Sequence, residues 1–215
     1  MYTTKWDFDH DVVNADMRLY AKWIKDDDDG FKIIGKFDDI SQFSDVKKVK
    51  AITSYGEVDG KKEYVVAEAD FKNDGFTINL PATLDAKYLI PIEELIGTST
   101  ITISNKSANV STFVTGIGGF NSVNEQIFVF GNAKEDDNTM SAMSWIYADG
   151  DVSISGNFTR PGHWDTNFTY SLNLTKGWNV AYVTEREDDD EEATYYVITS
   201  STVSGLKWFG EEWED

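Results

Sequence analysis

The sequence predicts an all-β fold, an antiparallel β-sandwich preceded by a smaller β unit, and three observations carry that expectation. Short alternating runs such as Tyr64 to Pro81 and Ser144 to Thr184 recur along the chain, and period-2 alternation belongs to half-buried strands. Gly, Asn and Asp break these runs at close intervals, as turns between strands require. Aromatic residues make up 14% of the 215 residues, which supplies enough large apolar area to fill the inner faces of sheets. A lipocalin-like β-barrel is the alternative closure of the same strands. The division expected is 1–95 for the smaller unit and 96–215 for the principal sandwich, with a soft boundary at Pro91 to Ser99.

Each element has its own signal. Met17, Leu19 and Ala21 alternate with Arg18, Tyr20 and Lys22 in an expected strand, which the run Asp26 to Gly30 ends as a solvated turn. Phe31 to Phe37 reads as the next strand, in which Gly35 relieves crowding or marks a bulge; Asp38 to Asp45 reads as a loop. Val46 to Glu57 and Lys62 to Phe71 are expected to pair around Asp59-Gly60, because Asp-Gly supplies the geometry of a tight hairpin. Asn73-Asp74-Gly75 repeats the turn, and the strand after it stops at Pro81, which lacks a ladder donor. Ala82 to Leu95 admits a helical turn, but Pro91 excludes one long helix.

Beyond the boundary, Ile101 to Ile103, Val110 to Val114 and Gln126 to Gly131 resume the alternation. Gly116 to Phe120 reads as a glycine-rich turn: it lacks the spacing of a dinucleotide fingerprint and has no Walker lysine. Four aromatic strands follow, at Trp145 to Tyr147, Val152 to Phe158, Phe168 to Leu174 and Trp178 to Val183, with reversals at Asp149-Gly150 and Lys176-Gly177. Thr194 to Ser200 and a last strand through Leu206 and Trp208 complete the pattern, since an exposed apolar edge is a liability. Trp145, Trp178 and Trp208 belong by this reading to the core, and Trp213 to a tail.

Charge and composition exclude several functions. With 38 acidic against 19 basic residues the net charge is -19, which opposes binding to a phosphate backbone and to anionic lipid. No apolar run approaches the roughly 20 residues of a membrane span. Having no cysteine, the chain is expected to use neither disulfides nor thiolate metal sites. No basic-then-apolar leader precedes Trp6, which leaves open a cytoplasmic chain or an exported one whose leader and lipidated cysteine are not part of it.

No catalytic residue is assigned. Carboxylate pairs such as Asp70 with Asp74 or Glu185 with Glu187 are inevitable among so many acids, and His10 and His163 accompany no GxSxG nucleophile elbow. Calcium is the one cofactor weighed. Asp7, Asp9 and Asp11 have a DxDxD spacing, although Val12 stands where an EF-hand needs glycine and Arg18 where it needs glutamate. Asp26 to Asp29 and Asp188 to Glu192 are acidic runs without a ligand register, and hydrated loops are the simpler reading. For carbohydrate, an aromatic ring covers the apolar face of a sugar while polar side chains satisfy its hydroxyls. Trp164, with Arg160, His163, Asp165 and Asn167, makes the best such cassette. The sequons at Asn109, Asn157 and Asn173 read as strand composition.

Two resemblances extend these readings. Thr3 to Trp23, with WDFD at Trp6 to Asp9 and RLYAKW at Arg18 to Trp23, resembles the closing half of the internalin B-type repeat of Listeria and Bacteroides surface proteins. Asp70 to Leu89, Tyr147 to Phe158 and Leu172 to Val183 are similar to secreted or lipid-anchored proteins of unknown function from gut Bacteroidetes. The resemblance implies an extracytoplasmic setting, at the cell surface or in the periplasm, and β-sandwich or lipocalin-like strands. The function expected is therefore a non-catalytic structural or adhesion-like surface protein. A carbohydrate-binding protein using an exposed aromatic loop is the alternative, and a glycan-processing hydrolase the lesser one. A glycan or a surface protein is the expected partner.

Overall fold

Alternation along a strand sends neighbouring side chains to opposite faces, so strand order decides which residues meet. The computed structural model describes residues 31–53, 64–72, 74–96, 100–114, 116–136, 138–188 and 190–213. The strands begin with β1 (Phe31–Lys36), β2 (Lys48–Thr53), β3 (Tyr64–Asp70), β4 (Gly75–Leu80), β5 (Ile90–Pro91), β6 (Thr102–Ile103) and β7 (Asn109–Val110). They continue with β8 (Ile117–Phe120), β9 (Gln126–Asp136), β10 (Thr139–Ala148), β11 (Val152–Arg160) and β12 (Asp165–Leu174). The last three are β13 (Gly177–Asp188), β14 (Ala193–Thr199) and β15 (Lys207–Glu212). The expected strand over Met17 to Lys22, the Asp26 to Gly30 turn and the Asp59-Gly60 turn lie outside the described residues.

The fold is all-β and arranged as a sandwich of two sheets. β1 and β4 form a two-stranded antiparallel sheet. The others form a second sheet in the order β3-β2-β8-β9-β10-β13-β14-β12-β11-β6, with β15 beside β9 and β7 between β5 and β10. Among the described residues this path ends at β3 and β6 without closing, so the lipocalin-like barrel does not form. Among the described residues pairing is antiparallel except between β12 and β14.

β10 and β13 pair over ten residues, Thr139 to Ala148 against Arg186 to Gly177. Trp145, Tyr147 and Trp178 point from one face into a first core, which the β1–β4 sheet covers with Ile33, Phe76, Ile78 and Leu80. At its centre Phe130 is fully buried, ringed by Phe37, Phe43, Phe71, Phe76 and Phe128 at centroid distances of 5.0 to 6.0 Å. Trp145 and Trp208 stack at 6.1 Å, and the Trp178 indole N–H donates to the Pro81 carbonyl at 2.8 Å, which satisfies the polar end of a buried ring.

The opposite face of the same strands serves a second core. Ile146, Ala148 and Ala181 meet Val152 and Ile154 of β11, Leu172 and Leu174 of β12 and Ile198 of β14. The short helix α1 (Ile92–Ile96) closes it with Ile92 and Ile96. Turns at 149–151 and 175–176 join β10 to β11 and β12 to β13, yet β10 pairs with β13 and β11 with β12. The β10–β13 pair and the β11–β12 hairpin thus pack on one core, tied at the turn end where Asp151 accepts the Lys176 N–H at 2.8 Å.

Local details follow from packing. Gly35 relieves crowding, because a Cβ there would lie 2.4 Å from Phe76 Cζ, and the β1–β4 register carries no bulge. The glycine-rich segment expected as a turn is strand β8, buried throughout; a Cβ on Gly119 would come within 2.7 Å of the Phe130 ring. The glycines make room for aromatic rings. Val110 to Val114 shortens to β7 and a bridge from Val114 to Trp145. Pro91 separates a turn of 3-10 helix at Ala86–Tyr88 from α1. The ladder crosses residues 91–99: β2 pairs with β8, and the buried hydroxyls of Thr53 and Thr112 bond each other. Among the described residues no helix is long and apolar enough to cross a membrane.

Candidate functional site

The site grows from the register of three strands. β11 sets Phe158 opposite Phe168 of β12, and the parallel pairing of β12 with β14 sets Phe168 opposite Tyr196. All three rings point to the second-core face, at the end remote from the 149–151 and 175–176 turns. Phe168 stacks with Phe158 at 6.0 Å, with Tyr196 at 5.3 Å and with Tyr170 at 6.3 Å. The four rings are half-buried and pack against the second core.

Polar groups meet this row at its middle ring and at its Tyr196 end. The Arg160 guanidinium lies 5.5 Å from the Phe168 centroid, a cation–π distance. The Tyr196 hydroxyl donates to Glu185 Oε1 at 2.8 Å. Desolvation and that hydrogen bond to a carboxylate push the Tyr196 phenol up to about 12. Burial pushes Tyr170 up as well, against an opposing pull from the Arg160 charge. Both phenols therefore stay protonated donors at neutral pH.

The Trp164 cassette is divided by the same alternation. Arg160 turns to the aromatic face, whereas Asn167 lies on the other face, where its Oδ1 accepts the Thr159 hydroxyl at 2.7 Å. Asp165 Oδ1 accepts the Gly162 N–H at 3.2 Å and so closes the hairpin tip. His163 is exposed, and Trp164 is 37% exposed. The tip joins the acidic turn after β13 through the Asp165 N–H, which donates to the Glu192 carbonyl at 3.1 Å. The residues that sequence reasoning missed are Phe158, Phe168, Tyr170, Tyr196 and Glu185. Their signal was parity: Phe158 and Arg160 share a face, as do Phe168 and Tyr170.

Several acidic groups have local partners. Asp188 pairs with Arg186 at 2.7 Å, and the Tyr195 hydroxyl donates to Glu191. Asp70 pairs with Lys72 at 2.8 Å. Hydrogen bonds from these cationic side chains hold the Asp188 and Asp70 carboxyls below the usual range. Asp7, Asp9, Asp11, His10 and Asp26 to Asp29 lie outside the described residues. Among the described residues no three acidic or histidine side chains are grouped to hold a metal ion.

A separate apolar cavity of about 50 Å³ lies between β1 and the Trp145–Trp208 stack, lined also by Met143 and Val180. Small-molecule sites start at roughly 300 Å³, so the aromatic row is the better surface for a ligand. No family model matches the chain, and no curated protein or solved structure matches it at a significant level.

Proposed function

We propose that the protein is a non-catalytic extracytoplasmic surface module of the adhesion-like kind, and that its contact ligand is a glycan. One observation carries this reading: the row Phe158–Phe168–Tyr196, with Tyr170 beside it, is flanked by Arg160 and Glu185 on paired strands. Sugars present apolar C–H faces together with hydroxyls, so a receptor combines aromatic surface with a few fixed donors and acceptors. Here strand pairing holds both kinds of group before any ligand arrives, which lowers the ordering cost of binding. Trp164 stands exposed at the tip of the same hairpin and can extend the contact.

Titration with a panel of neutral oligosaccharides, followed by tryptophan fluorescence and calorimetry, tests the reading. Saturable binding is expected, weakened about tenfold by Arg160→Ala, the scale of one lost charge-assisted hydrogen bond, and losing its fluorescence signal in Trp164→Ala. Absence of binding across the panel, or equal affinity in Arg160→Ala, would remove the aromatic row from the function.

A further inference from the structure

The solvent face of the β11–β12 hairpin is the reverse of the aromatic row. Inward of the hairpin tip, where exposed Asp165 carries a charge on this face, its eight positions are Ser153, Ser155, Asn157 and Thr159 on β11 and Asn167, Thr169, Ser171 and Asn173 on β12. Every position carries a hydroxyl or an amide, and none carries a charge. The register makes four polar pairs: Ser153 with Asn173, Ser155 with Ser171, Asn157 with Thr169, and Thr159 with Asn167. In a chain that is 27% charged these eight positions differ from the exposed faces of β1, β3 and β15. Exposed charges stand on β1 (Lys32, Lys36), on β3 (Glu68, Asp70) and on β15 (Lys207, Glu211, Glu212).

We infer that this face is a second contact surface, on which an extended neutral polysaccharide lies across the paired strands. The ligand class is that of the glycan reading above and rests on it, but the residues are different. Thr159 and Asn167 bond each other across the hairpin. Among the described residues the side chains of Ser155, Asn157, Thr169 and Ser171 are turned to solvent with no such internal bond. They form a grid of donors and acceptors about 5 Å apart between strands and about 7 Å apart along them. A neutral chain of repeating hydroxyls meets such a grid with many weak hydrogen bonds and no charge to desolvate. At the end of β14 the Ser200 Oγ accepts the Asn173 N–H at 2.9 Å.

Charge and composition single out this occupant. An anionic polymer would meet the field of a chain with net charge -19. A protein partner, or a second copy, would need buried aromatic, Met or Arg anchors, and Ser and Thr are poor ones. Beside the grid on β14 stand Val197, 41% exposed, and Tyr195, half-buried with the Arg186 guanidinium 4.4 Å from its ring centroid and its hydroxyl bonded to Glu191.

Co-sedimentation of the full chain with insoluble neutral polysaccharides (cellulose, xylan and starch granules) tests the surface. Two variants are compared with the parent: Ser155→Ala with Thr169→Val and Ser171→Ala, which removes three hydroxyls, and Thr169→Glu, which inserts a charge. All these side chains are solvent-facing, and unchanged circular dichroism and thermal midpoint would establish that the fold is kept. Sedimentation of the parent with at least one polymer is expected, with affinity about tenfold lower in each variant, as the loss of one or two net hydrogen bonds implies. Arg160→Ala, on the other face, is expected to sediment like the parent, so the two surfaces fail separately. Equal sedimentation of parent and variants overturns the inference, as does absence of sedimentation with every polymer. Parent self-association in analytical ultracentrifugation that the Glu variant abolishes also overturns it, in favour of a second copy on this face.

Discussion

Tyr196 links the aromatic row to the acidic strand β13, because its ring stacks on Phe168 while its hydroxyl bonds Glu185. That geometry has a pH consequence. The phenol is raised from 10.0 to about 12, first by desolvation and then by Glu185. Between those two values the folded chain holds more protons than the unfolded chain, so stability falls as pH rises. The contribution is complete below about pH 10 and is lost on passing the folded value near 12. Tyr196→Phe removes the ionisable hydroxyl and leaves Glu185 to solvent, at a cost of about 1 kcal/mol at neutral pH. Urea denaturation at pH 9 and at pH 11.5 is expected to show a smaller loss between the two pH values in Tyr196→Phe than in the parent. Equal losses would show that this hydroxyl is not what responds. Tyr170 and Tyr195 are also raised, but they respond alike in both proteins and cancel from the comparison.

At the scale of elements, β8 shows how neighbours override a local signal. Its glycines read as a turn in the sequence, yet they form a buried strand because Phe120 and Phe130 rings occupy the space where side chains would stand. Gly119→Val therefore overpacks the first core, with an expected loss of about 2–3 kcal/mol in denaturant unfolding. Joined to Phe130→Leu, which vacates part of that space, it should cost less than the sum of the two single changes. Strict additivity would mean that the Phe130 ring is not what excludes a side chain. The strands themselves were legible, because alternation and turn residues are local. Pairing was not, because Asp149-Gly150 marks the reversal after β10 without saying that β10 finds its partner in β13. One long-range cue was present: Trp145-Ile146-Tyr147-Ala148 is apolar at every position, and a strand without alternation is buried on both faces. The aromatic row was hidden for the same reason. Phe158, Phe168 and Tyr196 belong to three strands, and only a parallel pairing between β12 and β14 brings Tyr196 beside Phe168.

At the scale of the whole molecule, two cores lie on opposite faces of the same strands, and this predicts how the chain unfolds. Trp145 and Tyr147 belong to the first core while Ile146 and Ala148, their immediate neighbours on β10, belong to the second. β13 repeats the arrangement with Trp178 against Ala181. Neither core can lose its packing while the other keeps β10 and β13 in place, because a strand cannot leave one face only. The β2–β8 pairing carries the same dependence across residues 91–99. One cooperative transition is therefore expected, although the chain is longer than most two-state domains. Tryptophan fluorescence reports the first core through Trp145 and Trp178, and hydrogen exchange of the Ile154 and Leu172 amides reports the second. Ile146→Ala, fully buried in the second core, should cost about 2–5 kcal/mol and shift both probes to the same new midpoint. A variant in which the tryptophan transition stays put while the β11–β12 amides open early would show two independent units, and the shared strands would then be a seam between them.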